Sequence, residues 1–128
     1  MKRLLLDTSV IIDFLRMGNK QETLFYKLAQ EEISISVITH TELYAGKSVW
    51  KNAKAREELE TLFSGITILP LTQEISTKAG EIKAIHHNIG LLDCIIGATA
   101  MAHDLPLVTL NIKDFEHIVG VTLYNITN

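Results

Sequence analysis

Apolar residues fall along the chain in short blocks separated by polar segments. Arg3 to Leu6 is a short apolar run that stops at Asp7, the pattern of a buried strand. Val10 to Leu15 follows as a helix, with Ser9 as its expected N-cap. Leu24, Phe25, Leu28 and Ala29 have helical spacing within Glu22 to Gln30. Ile33 to Thr39 is rich in β-branched residues and predicts a strand. Thr41 to Leu62 reads as helix, with an interruption expected near Gly46. Ile66 to Leu69 predicts a strand closed by Pro70. Thr72 then caps a helix whose face carries Ile75, Ala79, Ile82 and Ile85. After Gly90, Asp93 opens another helix, and its small residues Gly97, Ala98, Ala100 and Ala102 allow close packing. Pro106 to Thr109 and Val121 to Ile126 are the last two predicted strands. Strands alternating with helices imply an α/β fold, a mostly parallel sheet covered by helices. No repeat or linker divides the chain, so residues 1–128 are expected to form one domain.

Composition narrows the class. No apolar stretch approaches the roughly 20 residues that span a bilayer, and the start lacks the apolar core of a secretory signal. The single Cys94 excludes an internal disulfide, a CxxC pair and a zinc ribbon, and points to a reducing, cytoplasmic setting. The formal charge of −3 argues at first against a nucleic-acid partner.

The acids change that picture. Ligands of open α/β sheets bind beyond the carboxyl ends of the strands. There stand Asp7, followed by Thr8 and Ser9; Glu42, preceded by Thr39, His40 and Thr41; and Asn111, followed by Asp114. Asp93 stands at a helix start. Each acid alone reads as a cap or a first-turn carboxylate. Four on one sheet edge form a cluster that repels itself unless a cation is present. Oxygen-only ligands suit Mg²⁺ or Mn²⁺, which activate water and stabilise charge on a phosphodiester. Two such cations more than offset the charge of −3.

These residues lie in four segments that together resemble the motifs of PIN domains. They are Leu5 to Ile12, Ser36 to Leu43, Asp93 to Ala100 and Val108 to Phe115. The chain's length is most similar to VapC-type toxins of prokaryotic toxin–antitoxin pairs. The resemblance implies a three-layer fold with a five-stranded parallel sheet, and a metal-dependent endoribonuclease. Asp7, Glu42 and Asp93 correspond by position to the three core acids of the family. The fourth position departs from the common pattern. Asn111 stands where many members carry Asp, so Asp114 is assigned as the fourth carboxylate and Asn111 lines the site. Leu110 stands where a basic residue is common. Thr8 and Thr109 are assigned to orient the acids or a water. The implied mechanism is hydrolysis of RNA by water activated at one or two Mg²⁺ or Mn²⁺ ions held by Asp7, Glu42, Asp93 and Asp114. The resemblance also implies a cognate antitoxin lying across a groove near the site, and a homodimer.

Outside this cluster, Lys47, Lys51 and Lys54 fall at i, i+4 and i+7, with Arg56 nearby. They read equally as a phosphate-tracking face or a solvated one. Trp50 is expected to pack in the core or at a subunit interface. His40 is a minor site candidate, whereas His86, His87 and His103 form no metal motif. A haloacid-dehalogenase-type phosphatase would need an Asp at position 9, where Ser9 stands. A response-regulator receiver would need a paired early acid. GxxxxGK[ST] and GxGxxG are absent. The rival from another class is a catalytically silent PIN-like domain that binds RNA or a protein, a reading that rests on Asn111.

Overall fold

A computed structural model describes residues 1–125. Four parallel strands form one sheet: β1 (Arg3–Leu6), β2 (Glu32–Ser36), β3 (Thr67–Leu69) and β4 (Leu107–Val108), in the order β3-β2-β1-β4. Leu4 lies beside Ile33, Leu5 beside Leu107, and Ile35 beside Ile68. The helices are α1 (Thr8–Arg16), α2 (Leu24–Lys27), α3 (Val37–Tyr44), α4 (Lys47–Lys51), α5 (Ala53–Phe63), α6 (Gln73–Ile85), α7 (Leu91–Ala102) and α8 (Ile112–Phe115), with a 3₁₀ turn at Lys20–Glu22.

Strand side chains alternate between two faces, and here both faces are apolar. Leu5 and Leu107 enter one core with Ile75, Ile82, Ile96 and Phe115 of α6, α7 and α8. Leu4, Leu6, Ile33, Ile35 and Val108 enter the other, with Val10, Ile11, Leu43 and Leu59 of α1, α3 and α5. The result is helix, sheet, helix. Leu4, Leu5 and Leu6 are all buried, and each such side chain contributes roughly 1.5–3 kcal/mol.

The predicted boundaries shift wherever a cap overrides local propensity. The strand expected over Ile33 to Thr39 ends at Ser36, whose hydroxyl accepts the Ile38 N–H and starts α3 before the β-branched run is over. The helix expected from Val10 begins at Thr8, with Asp7 rather than Ser9 at the cap position. The helix expected over Glu22 to Gln30 is a 3₁₀ turn followed by α2, because Thr23 recaps the chain by accepting the Tyr26 N–H. The long helix from Thr41 breaks at Gly46, as expected, and again at Asn52. The Asn52 side chain accepts from the N–H groups of Lys54 and Ala55 and opens a new helix. Thr72 caps α6 as expected; Ile75, Ala79 and Ile82 are buried, but Ile85 at the last turn is exposed. Helix α7 starts at Leu91 with Gly90 as cap, so Asp93 lies within its first turn.

The fifth strand, expected over Val121 to Ile126, is reduced to one parallel bridge, Leu123 beside Leu107. The Leu107 N–H donates to Thr122 O and the Tyr124 N–H to Leu107 O, both at 2.8 Å. Ile126 lies outside the described residues. Strand β4 is itself two residues long, so its outer edge offers little ladder to extend.

The strand order decides where the site sits. The chain runs outward from β1 to β2 and β3, then returns to add β4 on the other side of β1. That reversal makes the carboxyl ends of β1 and β4 a topological switch point, the place where open α/β sheets bind ligands.

Candidate active site at the carboxyl edge of the sheet

Asp7 follows β1 directly, and its N–H donates to Val108 O of β4 at 2.9 Å. The residue is 2% exposed. It occupies the cap position of α1 but makes no capping bond. Instead Oδ2 accepts two hydroxyls, Ser9 Oγ and Thr109 Oγ1, each at 2.8 Å. Both hydroxyls also accept a backbone N–H from the loop after β4: Leu110 N–H to Ser9 Oγ at 3.1 Å and Asn111 N–H to Thr109 Oγ1 at 2.9 Å. An N–H can only donate, so each hydroxyl must turn its proton to the carboxylate. The polarity of the network is thereby fixed by backbone. No buried side-chain oxygen or nitrogen among the described residues lacks a partner. Both hydroxyls converge on Oδ2, and Oδ1 accepts no hydrogen bond from the described residues.

Glu42 lies on α3 and is held in the same manner. Thr8 Oγ1 donates to Glu42 Oε1 at 2.6 Å. With its one proton committed, Thr8 Oγ1 receives the hydroxyl of Thr39, 2.9 Å away and wholly buried. Helices α1 and α3 are thus tied together by a polar chain ending on a carboxylate.

Asp93 lies in the first turn of α7, and Asp114 on α8. Burial first, then the charges of Asp7, Asp114 and Glu42, push the Asp93 carboxyl from 3.8 up to about 6. The structure therefore brings all four acids into one field. It does not close them into a cage: among the described residues, no three His, Cys, Asp or Glu side chains stand close enough to hold a metal as they are placed. The donor chemistry, carboxylate and hydroxyl oxygen alone, fits a hard cation such as Mg²⁺ or Mn²⁺. Asp114 is exposed at the rim, as are Leu110 and Asn111.

Two residues of the network carried no such role in the sequence. Ser9 was expected as a helix cap but holds Asp7, and Thr39 was expected within a strand but backs Thr8. A serine two residues after the acid was the available signal for Ser9; for Thr39 there was none.

The lysines do not share a helical face. Lys47 and Lys51 belong to α4, Lys54 to α5, and the Asn52 break between them turns the chain. Trp50 is not in the core: it is 63% exposed, with Nε1 donating to Tyr44 O at 2.7 Å and the Arg56 guanidinium 5.9 Å from its ring. His40 packs its ring against Tyr44 and Phe63, at 4.9 and 4.7 Å, and takes no part in the acid cluster. Cys94 is buried. No helix among the described residues is long and apolar enough to cross a membrane.

The PIN domain family model matches residues 4–120. The chain belongs to the PIN-domain family. It is 34% identical to Ribonuclease VapC1 of Rickettsia felis over 98% of this chain and 97% of that one. It is 32% identical to Ribonuclease VapC10 of Mycobacterium tuberculosis, over 88% and 85%. Among solved structures, a chain in the crystal structure of VapBC2 from Rickettsia felis, bound to a DNA fragment from its promoter, superposes with a TM-score of 0.79. The two share 25% identity over 98% of this chain and 99% of that one. A chain in a toxin–antitoxin complex from Klebsiella pneumoniae gives 0.69 at 32% identity, covering 96% and 99%. The expected VapC-type likeness therefore runs through the whole PIN fold.

Proposed function

We propose that this chain is the toxin of a VapBC-type toxin–antitoxin pair, a single-domain Mg²⁺- or Mn²⁺-dependent endoribonuclease that acts in the cytoplasm. The observation that carries the reading is the convergence of Asp7, Glu42, Asp93 and Asp114, from four separate elements, on one sheet edge, where burial and then the charges of the other three raise the Asp93 carboxyl. Like charges gathered at this cost to the fold call for a cation. Supporting the ribonuclease and antitoxin parts are the names of the relatives: ribonucleases by sequence, toxin–antitoxin complexes by structure.

In this reading Asp7, Glu42, Asp93 and Asp114 hold the cation. The chemistry a bound Mg²⁺ or Mn²⁺ supplies is activation of water and neutralisation of charge on the scissile phosphate. The protein supplies orientation. Ser9 and Thr109 fix the plane of the Asp7 carboxylate and leave Oδ1 free for a ligand. Thr8, backed by Thr39, fixes Glu42. Asn111 lines the rim with a neutral carbonyl beside Asp114. No side chain is positioned as a covalent nucleophile, because every hydroxyl near the acids spends its proton on a carboxylate or on another hydroxyl. Lys47, Lys51 and Lys54, on two helices, contribute long-range attraction for the RNA backbone rather than one continuous track. A homodimer is part of the same reading.

The test is cleavage of single-stranded RNA by the purified chain. Hydrolysis with Mg²⁺ or Mn²⁺, lost in EDTA and lost in Asp7→Asn, is the expected result. Metal-independent cleavage, or none with a folded wild type, overturns it; RNA binding without cleavage would favour a silent PIN-like binding module.

A further inference from the structure

Three of the four acids differ in how they are held. Asp7 is gripped by two hydroxyls and Glu42 by one. Asp93, among the described residues, has no side-chain hydrogen bond at all, so its position is set by where the first turn of α7 begins. That turn has no side-chain cap: Gly90 occupies the cap position, and the first bond into the helix is Cys94 N–H to Gly90 O at 3.0 Å.

The segment that delivers the chain to Gly90 is held from one side by a single cation. Lys83, half-buried on the last turns of α6, donates from Nζ to His87 O at 2.8 Å and to Ile89 O at 2.7 Å. Between them these bonds satisfy two carbonyls of the bend that runs from His86 to Gly90. Ile89 is itself buried in the core shared with Cys94 and Ile96. Helices α6 and α7 already pack closely along their lengths, so the two Lys83 bonds bear on the bend between them, at carbonyls four and six residues ahead of Asp93. Lys78, earlier on α6, instead pairs on the surface with Glu81.

We propose that Lys83 is a positioning residue for the acid cluster. Its ammonium clamps the α6–α7 bend and so places Asp93 for cation binding. The proposal rests on the metal-dependent reading above. It makes a prediction opposite in sign to simple electrostatics. Loss of a positive charge from the chain would by itself favour a bound cation, whereas loss of the clamp should loosen it.

The experiment measures Mn²⁺ affinity by electron paramagnetic resonance of the free ion, on the whole chain, for wild type, Lys83→Met and Lys83→Arg. Amide hydrogen exchange in EDTA is followed over residues 89–95. Lys83→Met is expected to bind Mn²⁺ about tenfold more weakly, the scale seen when groups that orient a ligand are lost. Its exchange should rise in that segment and not across the sheet. Lys83→Arg, which can donate to both carbonyls, should restore both readouts. Unchanged or tighter Mn²⁺ binding in a folded Lys83→Met overturns the proposal, as does failure of Arg to restore it. Should Lys83→Met fail to fold, Lys83→Gln is measured against the same two outcomes. A wild type that binds no Mn²⁺ overturns the metal-dependent reading and this proposal together, whereas wild-type binding with an indifferent Lys83→Met overturns this one alone.

Discussion

Replacing Asp93 by Asn should make the metal-free protein more stable, and only above acid pH. In the fold, the Asp93 carboxyl titrates at about 6 rather than 3.8 because it is partly buried and faces Asp7, Asp114 and Glu42. A carboxyl harder to ionise in the folded than in the unfolded chain destabilises the fold once ionised. Well below pH 3.8 it is protonated in both states and costs nothing. The penalty grows as pH rises from 3.8 to about 6, and is complete above that. At 1.36 kcal/mol per pH unit the shift corresponds to about 3 kcal/mol. Solvent screening of a half-buried group reduces this to roughly 1–2 kcal/mol. The substituted amide has nearly the same shape as the carboxylate and no charge. Urea unfolding of the metal-free chain should therefore give coincident midpoints for wild type and Asp93→Asn at about pH 3. At pH 7.5 the variant's midpoint should be higher by about 0.5–1 M, for a slope of roughly 2 kcal/mol per molar. Adding Mg²⁺ should stabilise the wild type and close the gap. Parallel profiles across the whole pH range, or a variant less stable at pH 7.5, would refute the idea that these four acids share a field.

Further outcomes follow from the same geometry. Asp7→Asn keeps an oxygen for the Ser9 and Thr109 hydroxyls, so RNA cleavage should vanish while the circular dichroism spectrum stays native; a wild-type rate, with contaminating nuclease excluded, would sink the catalytic assignment. Ser9→Ala and Thr109→Val each remove the acceptor of a loop N–H together with a donor to Asp7, and each should cost about 1–3 kcal/mol in thermal or urea unfolding. Neutral effects there would mean that the hydroxyl network is not formed in solution. Lys51→Ala should weaken single-stranded RNA binding and flatten its salt dependence by less than one unit of slope, about 0.7; titration at several salt concentrations with an unchanged slope would remove Lys51 from the RNA path.

Local sequence by itself determined a good deal. Apolar blocks of strand length located β1 and β4, because a strand buried on both faces must be apolar; β3, an exposed edge strand, was marked by its β-branched residues and by Pro70. Thr72 announced the start of α6 by its capping chemistry. The acids at positions 7, 42 and 114 stood out as carboxylates beyond predicted strands, and Asp93 as one at a helix start. Boundaries were less legible wherever a side chain competes with propensity. Ser36 and Asn52 each begin a helix inside a segment whose pattern reads otherwise, and a single hydrogen bond from a cap is enough to reset the backbone there.

Only the tertiary structure decided what the acids do to one another. Sequence spacing says nothing about Oδ2 of Asp7 meeting a hydroxyl 102 residues away, or about which proton that hydroxyl can give. It could not show that a break at Asn52 puts Lys54 on a different helix from Lys47 and Lys51, or that Trp50 stands in solvent. The return of the chain to place β4 beside β1 is what brings Thr109 to Asp7. Residue type is local and can be read one position at a time. Hydrogen-bond polarity, shared fields and the register of a bend depend on distances between segments remote in the chain, and those exist only once the layers have packed.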